Sequence, residues 1–332
     1  MVCHPETEKL KILIVGFGSS GQRYARVLKK ISSDFRLMVF RGKHRMGLIH
    51  SSLLKISRDV DPVLFYNLEE LSENELSMHK YELVIICTPA SSHLYYSKLF
   101  YDKSNKLLVE KPLCISQDEI KQFAQIYSEL KGNLLVGYQH FHNPIFNKVS
   151  EEYSIMQLPR HIQLEFLEPL ADMNPFRDMS THHLSSPKGG GALLALSHEL
   201  DFLFRLEPRL TRGLLTSETL HLSHSDNFDS CKLRVRLALE KECLLDVNLS
   251  YAPGPNKRGG HISDGYSEIL WDLKQKIMVK NRSGLREVLK FEFSSDDLIE
   301  QLLTKYIGNE MSKEDLEERF SRAKYIVELA HQ

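Results

Sequence analysis

The chain carries three glycines in the pattern Gly16-Phe17-Gly18-Ser19-Ser20-Gly21, directly after a short apolar run and at the start of a stretch with helical spacing. In that setting each glycine has its own task. Gly16 allows a tight turn, Gly18 lets the backbone approach a pyrophosphate, and Gly21 lets helix and strand pack closely. The free amides and positive dipole end of the helix start favour phosphate. All six residues, Gly16, Phe17, Gly18, Ser19, Ser20 and Gly21, are therefore expected to contact a dinucleotide. Where the adenosine ribose carries a free 2′-hydroxyl, an acid usually holds it from the end of the second strand, about 20 residues on. Here that place reads Phe40-Arg41-Gly42-Lys43-His44-Arg45, with cations and no acid. Arg41 can grip a 2′-phosphate through two parallel hydrogen bonds and Lys43 can add a point charge. NADP(H) is thus expected ahead of NAD(H), with NAD(H) as the other choice.

The elements that would position this loop alternate. Short apolar runs over 10–15, 36–40, 82–87, 106–109 and 133–137 read as strands, and 21–31 and 117–130 have helical spacing. Strand and helix alternating in this way argue a doubly wound parallel sheet with helices on both faces. After Pro144 strand-like stretches follow one another, over 161–167, 232–239, 243–251, 268–273 and 288–293. Their partial alternation suits an antiparallel sheet with one covered face. Two helices close the chain, the last opened by a capping box in which Ser312 and Asp315 can satisfy orphan amides. The fold class is therefore α/β in two domains: a Rossmann domain over 1–140, then a substrate and oligomerisation domain over 141–332 built on an open, mostly antiparallel sheet. The last helix is free to pack back on the first domain.

Bulk properties narrow the function. The 332 residues exceed the length at which one core usually stops growing. A formal net charge of -1 gives no electrostatic reason to expect a nucleic acid or an anionic membrane as partner. No apolar run reaches bilayer length, and the first ten residues carry no secretory pattern. The five cysteines, Cys3, Cys87, Cys114, Cys231 and Cys243, are scattered without a C-x-x-C pair, which suits free thiols in the cytoplasm. His140, His142, His182, His183 and His198 invite a metal reading. With no His-Glu-x-x-His and no Cys-rich spacing, no metal is expected.

Three further segments carry a family resemblance. Ile86-Cys87-Thr88-Pro89-Ala90-Ser91-Ser92-His93 resembles the strand-end loop that lies under the nicotinamide side of the cofactor in the Gfo/Idh/MocA oxidoreductases. Glu110-Lys111-Pro112 is similar to that family's Glu-Lys-Pro signature. The run Gly189-Gly190-Gly191 onward to Ser197-His198-Glu199-Leu200-Asp201 is similar to its glycine-rich stretch leading into a helix with a catalytic histidine. The segments stand in the family's order, and the resemblance covers nearly the whole chain.

The resemblance implies hydride transfer between a nicotinamide and a hydroxyl or keto carbon of a sugar, cyclitol or nucleotide sugar. It adds Thr88, Pro89, His93, Glu110 and Lys111 to the cofactor contacts. It also gives Lys111 the task of holding the substrate oxygen and His198 that of moving the hydroxyl proton. A lysine can stabilise a partly anionic oxygen, and a histidine can exchange a proton at neutral pH. Tyr138, His140, His183 and Asp201 are expected on the substrate side, and a homodimer or homotetramer packed through the open sheet face is implied. Taken alone, Lys111 could be a solvated strand-end residue and His198 a helix histidine bonded to Asp201.

The chain also departs from the pattern. Many relatives carry an acid one turn before this histidine; here Leu194 and Ala195 stand four and three residues before His198, the positions that would share its face on a continuous helix. The segments 137–144 and 178–183 also differ, with Gln139, Phe141 and His142 in the first and His182 and His183 in the second. The altered groups leave open a different substrate, such as a bilin or an amino-acid-derived ketone. They also leave open a catalytically weakened nicotinamide-binding sensor or protein-interaction module.

Overall fold

A computed structural model describes residues 9–42, 46–49, 56–158, 160–169, 172, 191–212, 215–224, 229–237, 243–251 and 253–331. The helices, in chain order, are α1 (Ser19–Ile31), α2 (Pro62–Phe65), α3 (His93–Phe100), α4 (Gln117–Glu129), α5 (Pro144–Ser154), α6 (Gly191–Ala195), α7 (His198–Leu206), α8 (Ser295–Ile307) and α9 (Lys313–Leu329). None of the described helices is long and apolar enough to cross a membrane. The chain divides into two compact units, Met1–Gly137 with Ser295–Phe320, and Tyr138–Ser294 with Ser321–Gln332. Residues 295–320 thus group with the first unit, and 321–332 with the second.

The first unit is built on β1 (Leu10–Val15), β2 (Phe35–Phe40), β5 (Glu69–Glu70), β6 (Tyr81–Ile86), β7 (Ser104–Val109) and β8 (Leu134–Val136), with β3 (Leu48–Ile49) and β4 (Ile56–Ser57) as a separate ribbon. The order is β5-β2-β1-β6-β7-β8, and every pairing is parallel. A parallel sheet is covered on both faces, so its central strands are apolar throughout. Ile12, Leu13, Ile14 and Val15 accordingly have no exposed surface, nor have Leu83, Val84, Ile85 and Ile86. α1 turns Tyr24, Ala25, Val27 and Leu28 inward and leaves Lys29 and Lys30 in solvent. α8 adds Ile299, Leu302, Leu303 and Tyr306 to the same core.

The second unit holds an eight-stranded sheet of β9 (Arg160–Leu167), β10 (Leu215–His224), β11 (Asp229–Leu237), β12 (Cys243–Ser250), β13 (Lys257–Ser263), β14 (Ser267–Asp272), β15 (Ile277–Arg282) and β16 (Leu285–Lys290). The order is β10-β11-β12-β9-β13-β14-β15-β16, antiparallel except where β12 meets β9. β9 and β12 alternate strictly. Ile162, Leu164, Phe166, Cys243, Leu245, Val247 and Leu249 are buried, while His161, Gln163, Glu165, Asp246 and Asn248 are half-exposed. On the covered side Phe146 of α5 stacks on Phe202 of α7 at 3.9 Å, and Phe202 meets Trp271 edge-on at 6.0 Å. Three strands escape the sequence reading, β10, β13 and β15, and the last strand ends at Lys290 rather than 293. β13 was hidden by Gly259 and Gly260. A Cβ on Gly260 would stand 2.3 Å from the Trp271 ring, so the strand needs a residue that reads as loop.

Candidate functional site

The carboxyl edge of the parallel sheet gathers the sequence motifs of the first unit in one row. The amide of Gly16 donates to Phe40 O (2.8 Å), that of Cys87 to Val15 O (2.7 Å), that of Glu110 to Ile86 O (2.9 Å) and that of Gly137 to Val109 O (2.8 Å). Register alone thus sets Arg41, the glycine loop, Thr88 and Lys111 along one rim, the place where open α/β sheets bind ligands.

The glycine loop has the shape its spacing predicts. Gly16 has φ +88°, and a Cβ there would lie 2.9 Å from the Cys87 carbonyl. On Gly21 a Cβ would lie 2.2 Å from Gly16 O, so only glycine permits this helix-to-strand approach. Around Gly18 nothing lies within 4 Å of that position. The first turn of α1 carries no acid and no side-chain cap, and the half-buried Ser19 and Ser20 stand in it. Phe17 is turned into the core against Tyr66, at 6.4 Å between rings, which leaves only its backbone for a ligand. The buried Thr88 hydroxyl has no hydrogen-bond partner, and Pro89 beside it is exposed. Open space over Gly18, uncapped amides and an unpaired hydroxyl on one rim fit a dinucleotide.

Other expected contacts take different roles. His93 is 1% exposed, with Nδ1 at 2.9 Å from Pro112 O and Nε2 at 2.9 Å from Thr88 O. Both nitrogens meet backbone carbonyls, so the ring ties the Thr88 loop to the Lys111-Pro112 loop. Burial pushes its pKa down, against the carbonyls that favour a proton on each nitrogen. Arg41 stands at the rim, but four of its five N–H donors are committed to carboxylates. Nε reaches Glu70 Oε1 at 3.0 Å, and Nη1 and Nη2 reach Asp61 at 2.8 and 3.1 Å. Lys43 lies outside the described residues.

Glu110 receives the Tyr24 hydroxyl on Oε1 at 2.8 Å and the Lys111 amide on Oε2 at 3.1 Å. Desolvation raises its pKa, and Tyr24 and the Lys111 charge pull it back. The peptide bond between Lys111 and Pro112 is cis. Tyr24 lies on the buried face of α1. Its spacing signals burial, and nothing in the sequence signals that its hydroxyl meets Glu110.

In the second unit Tyr138, His140 and His198 come together. The His198 ring lies 4.6 Å from that of His140 and 5.7 Å from that of Tyr138, both edge-on. The Tyr138 hydroxyl is 3.2 Å from Ser197 Oγ, and Asn143 Nδ2 is 3.2 Å from His140 Nδ1. His198 is the first residue of α7, because the helix is interrupted by a turn at Leu196 and Ser197 between α6 and α7. The argument that Leu194 and Ala195 share a helical face with it therefore does not apply. Its ring neighbours are aromatic groups from the segment after β8 instead.

Asp201 accepts from Arg322 Nε at 2.8 Å, with both side chains buried. Glu199 pairs with Arg258 at 2.6 Å, a pair that sequence reading missed. His183, Gly189 and Gly190 lie outside the described residues, as does most of the segment 168–187. Among the described residues no three His, Cys, Asp or Glu side chains gather as a metal ion would need. Lys111 belongs to the first unit and His198 to the second.

Comparison with known proteins agrees with this architecture. Residues 10–138 match the sequence model of the Gfo/Idh/MocA oxidoreductase family, NAD-binding Rossmann fold. No curated protein matches the chain closely in sequence. Among solved structures it is similar to UDP-N-acetylglucosamine 3-dehydrogenase GnnA from Acidithiobacillus ferrooxidans, with TM-score 0.71 and 15% identity over 97% of this chain and 96% of that one. It is likewise similar to the biliverdin reductase of Synechocystis sp. PCC 6803, solved with biliverdin and NADP+, with TM-score 0.73 and 13% identity over 98% of each chain. A levoglucosan dehydrogenase, solved with NADH and levoglucosan, gives TM-score 0.68 at 12% identity over 97% of this chain and 95% of that one. At these identities the likeness is one of fold. The match over residues 10–138 identifies the dinucleotide-binding domain of the chain as one of the Gfo/Idh/MocA oxidoreductase type.

Proposed function

We propose that the protein moves a hydride between a nicotinamide dinucleotide and a hydroxyl or keto carbon of a sugar, cyclitol or nucleotide sugar. The observation that carries this reading is the rim of the parallel sheet, where the open Gly18 turn, the unpaired Thr88 hydroxyl and the Glu110-Lys111-Pro112 turn stand in register. Gly16 to Gly21 would hold the pyrophosphate, by backbone amides and by Ser19 and Ser20. Thr88 and Pro89 would lie toward the nicotinamide, which supplies or accepts the hydride when bound. Lys111 would donate a hydrogen bond to the substrate oxygen and favour its partly anionic form. His198 would take the hydroxyl proton on oxidation and return it on reduction, its ring held by Tyr138 and His140. Arg41 no longer speaks for NADP(H), because its donors sit on Asp61 and Glu70.

The test is binding of reduced cofactor, followed by turnover on a panel of sugars and nucleotide sugars. Lys111→Ala and His198→Asn are each expected to lower kcat by about 10² to 10⁴-fold while cofactor affinity stays within a few-fold. Full turnover by Lys111→Ala would remove that residue from the mechanism. A second reading takes a bilin or another non-sugar carbonyl as substrate, favoured by the fold match to a biliverdin reductase. A third, the weakened sensor or interaction module, gains from Asp201 being held by Arg322. Tight cofactor binding without turnover on any substrate supports it.

We further propose a cytoplasmic homodimer or homotetramer. The free thiols of Cys87, Cys114 and Cys243 suit that compartment, and Leu270 and Val288 leave apolar surface exposed on the second unit. A monomeric mass at micromolar concentration argues against the assembly.

A further inference from the structure

The cluster around Arg41 carries a consequence for the cofactor itself. Arg41 follows β2 directly, and Phe40 O accepts the Gly16 amide at 2.8 Å, so its backbone adjoins the glycine loop. Its side chain is only 6% exposed, and its guanidinium is gripped from two directions. Glu70, on the edge strand β5, takes Nε and Nη2; Asp61, the residue capping α2, takes Nη1 and Nη2. Four donor contacts in two paired grips are thus committed to carboxylates, the geometry in which Arg bonds acids most firmly. Among the described residues, these two carboxylates and one guanidinium sum to a net charge of -1. Burial works against the Asp61 carboxylate, but Arg41 and the Val63 amide outweigh it and hold its pKa below the usual range.

Among the described residues, a phosphate arriving at this corner would face two anions and a cation already bound to them. Binding it through Arg41 would require breaking one paired grip, and the released carboxylate would then sit close to the phosphate. A hydroxyl asks for less. Asp61 is 37% exposed, and its carboxylate can accept a further hydrogen bond without disturbing Arg41.

The geometry points to Asp61 and Glu70, with Arg41 locked between them, as a selector for a dinucleotide whose adenosine ribose carries a free 2′-hydroxyl, so that this chain takes NAD(H) in preference to NADP(H). The acids come from α2 and β5 rather than from the end of β2, so counting along the chain from the glycine loop does not find them. The inference rests on the dinucleotide reading above and reverses the preference drawn from cations alone.

The experiment measures NADH and NADPH affinity of the full chain by nicotinamide fluorescence, at low and high salt, for the native protein and for Asp61→Asn/Glu70→Gln. Asparagine keeps the cap on α2, so the double substitution removes charge with little loss of local structure. NADH is expected to bind at least about tenfold more tightly than NADPH, a preference that salt narrows by screening the anions. In the double variant the ratio should fall by about tenfold or more, as Arg41 becomes available. If that variant does not fold, the salt dependence and competition by adenosine 2′-phosphate against AMP in the native protein carry the test. NADPH binding as tightly as NADH, or a ratio unmoved by both salt and substitution, overturns the selector and leaves the oxidoreductase reading standing. Failure of both cofactors to bind a folded protein overturns the dinucleotide reading and the selector together.

Discussion

The buried Tyr24 and the half-buried Glu110 decide how the backbone of the candidate lysine is held. The Tyr24 hydroxyl supports Glu110 from the core side, and Glu110 in turn accepts the Lys111 amide. A hydrogen bond to a charged partner contributes about 1.5–3 kcal/mol, so Tyr24→Phe is expected to lose about that much stability at neutral pH. The loss should shrink as the pH falls through the raised pKa of Glu110, because a protonated carboxyl depends less on the donor. Denaturant unfolding at several pH values checks this, and a cost that does not change with pH would show that Glu110 is not the partner that matters. His93 gives the opposite sign. Its folded pKa is depressed by burial, so its contribution is present above the ordinary histidine value and is lost as the pH falls toward the folded value. Within that window the native protein should lose up to about 1.4 kcal/mol per pH unit more than His93→Gln. Equal acid sensitivity of the two proteins would remove His93 as the cause. Residue types and order made Lys111, His198, Tyr138 and His140 legible as candidates. What the sequence could not display was which partner holds a donor: Arg41, His93 and Asp201 were each recognised as polar groups near a site, and each is tied to protein instead.

At the scale of the element, the strand-turn-helix unit of β1, the glycine loop and α1 was legible because its constraint is local. Two of its glycines separate stability from binding. A methyl group on Gly21 must displace Gly16 O from 2.2 Å, so Gly21→Ala should cost about 1–3 kcal/mol, as overpacking does, and deform the turn. Gly18 has an ordinary negative φ and open surroundings, so Gly18→Ala should leave stability within about 0.5 kcal/mol. It should nonetheless weaken cofactor binding, since the methyl group enters the space a pyrophosphate would use. Thermal melts and cofactor titration on the two variants check the contrast; equal loss of stability in both defeats it. Other elements were missed for reasons the structure makes plain. α5 announces itself with Asn143 and Pro144, where the Asn143 side chain accepts the Ile145 amide at 2.9 Å, a start signal that had been taken for a boundary. The break between α6 and α7 has no comparable marker in Ala195-Leu196-Ser197-His198, and so the spacing argument about His198 assumed a continuous helix. β10 and β15 are polar or mixed strands at or near the sheet's edges, where apolar alternation is weak.

On the scale of the whole molecule, the first unit is discontinuous in sequence, and this sets how much of the chain it needs in order to fold. The family match ends at 138, yet α8 completes the unit from residue 295 onward. Arg26 holds Asp296 through Nε at 2.6 Å and Nη2 at 2.8 Å, and Lys106 donates to Ile307 O at 2.8 Å. The Tyr306 hydroxyl lies 2.9 Å from Leu107 O and 2.8 Å from Asn133 O, at the strands on the far side of the sheet. Between these ties Ile299, Leu302, Leu303 and Tyr306 fill the core over β1 and α1. Burying a large apolar side chain contributes about 1.5–3 kcal/mol. Removing these four residues would therefore forfeit on the order of 6–12 kcal/mol, comparable with the whole stability of an ordinary domain at about 5–15 kcal/mol. A fragment of residues 1–140, which sequence reading would have cut as the dinucleotide-binding domain, is thus expected to fail to unfold cooperatively and to bind neither cofactor. The same fragment with 295–320 restored through a short linker should regain a sharp transition. Cooperative unfolding of the bare fragment, with a denaturant slope appropriate to its full length, would show that α8 is an accessory to the unit and not part of its core.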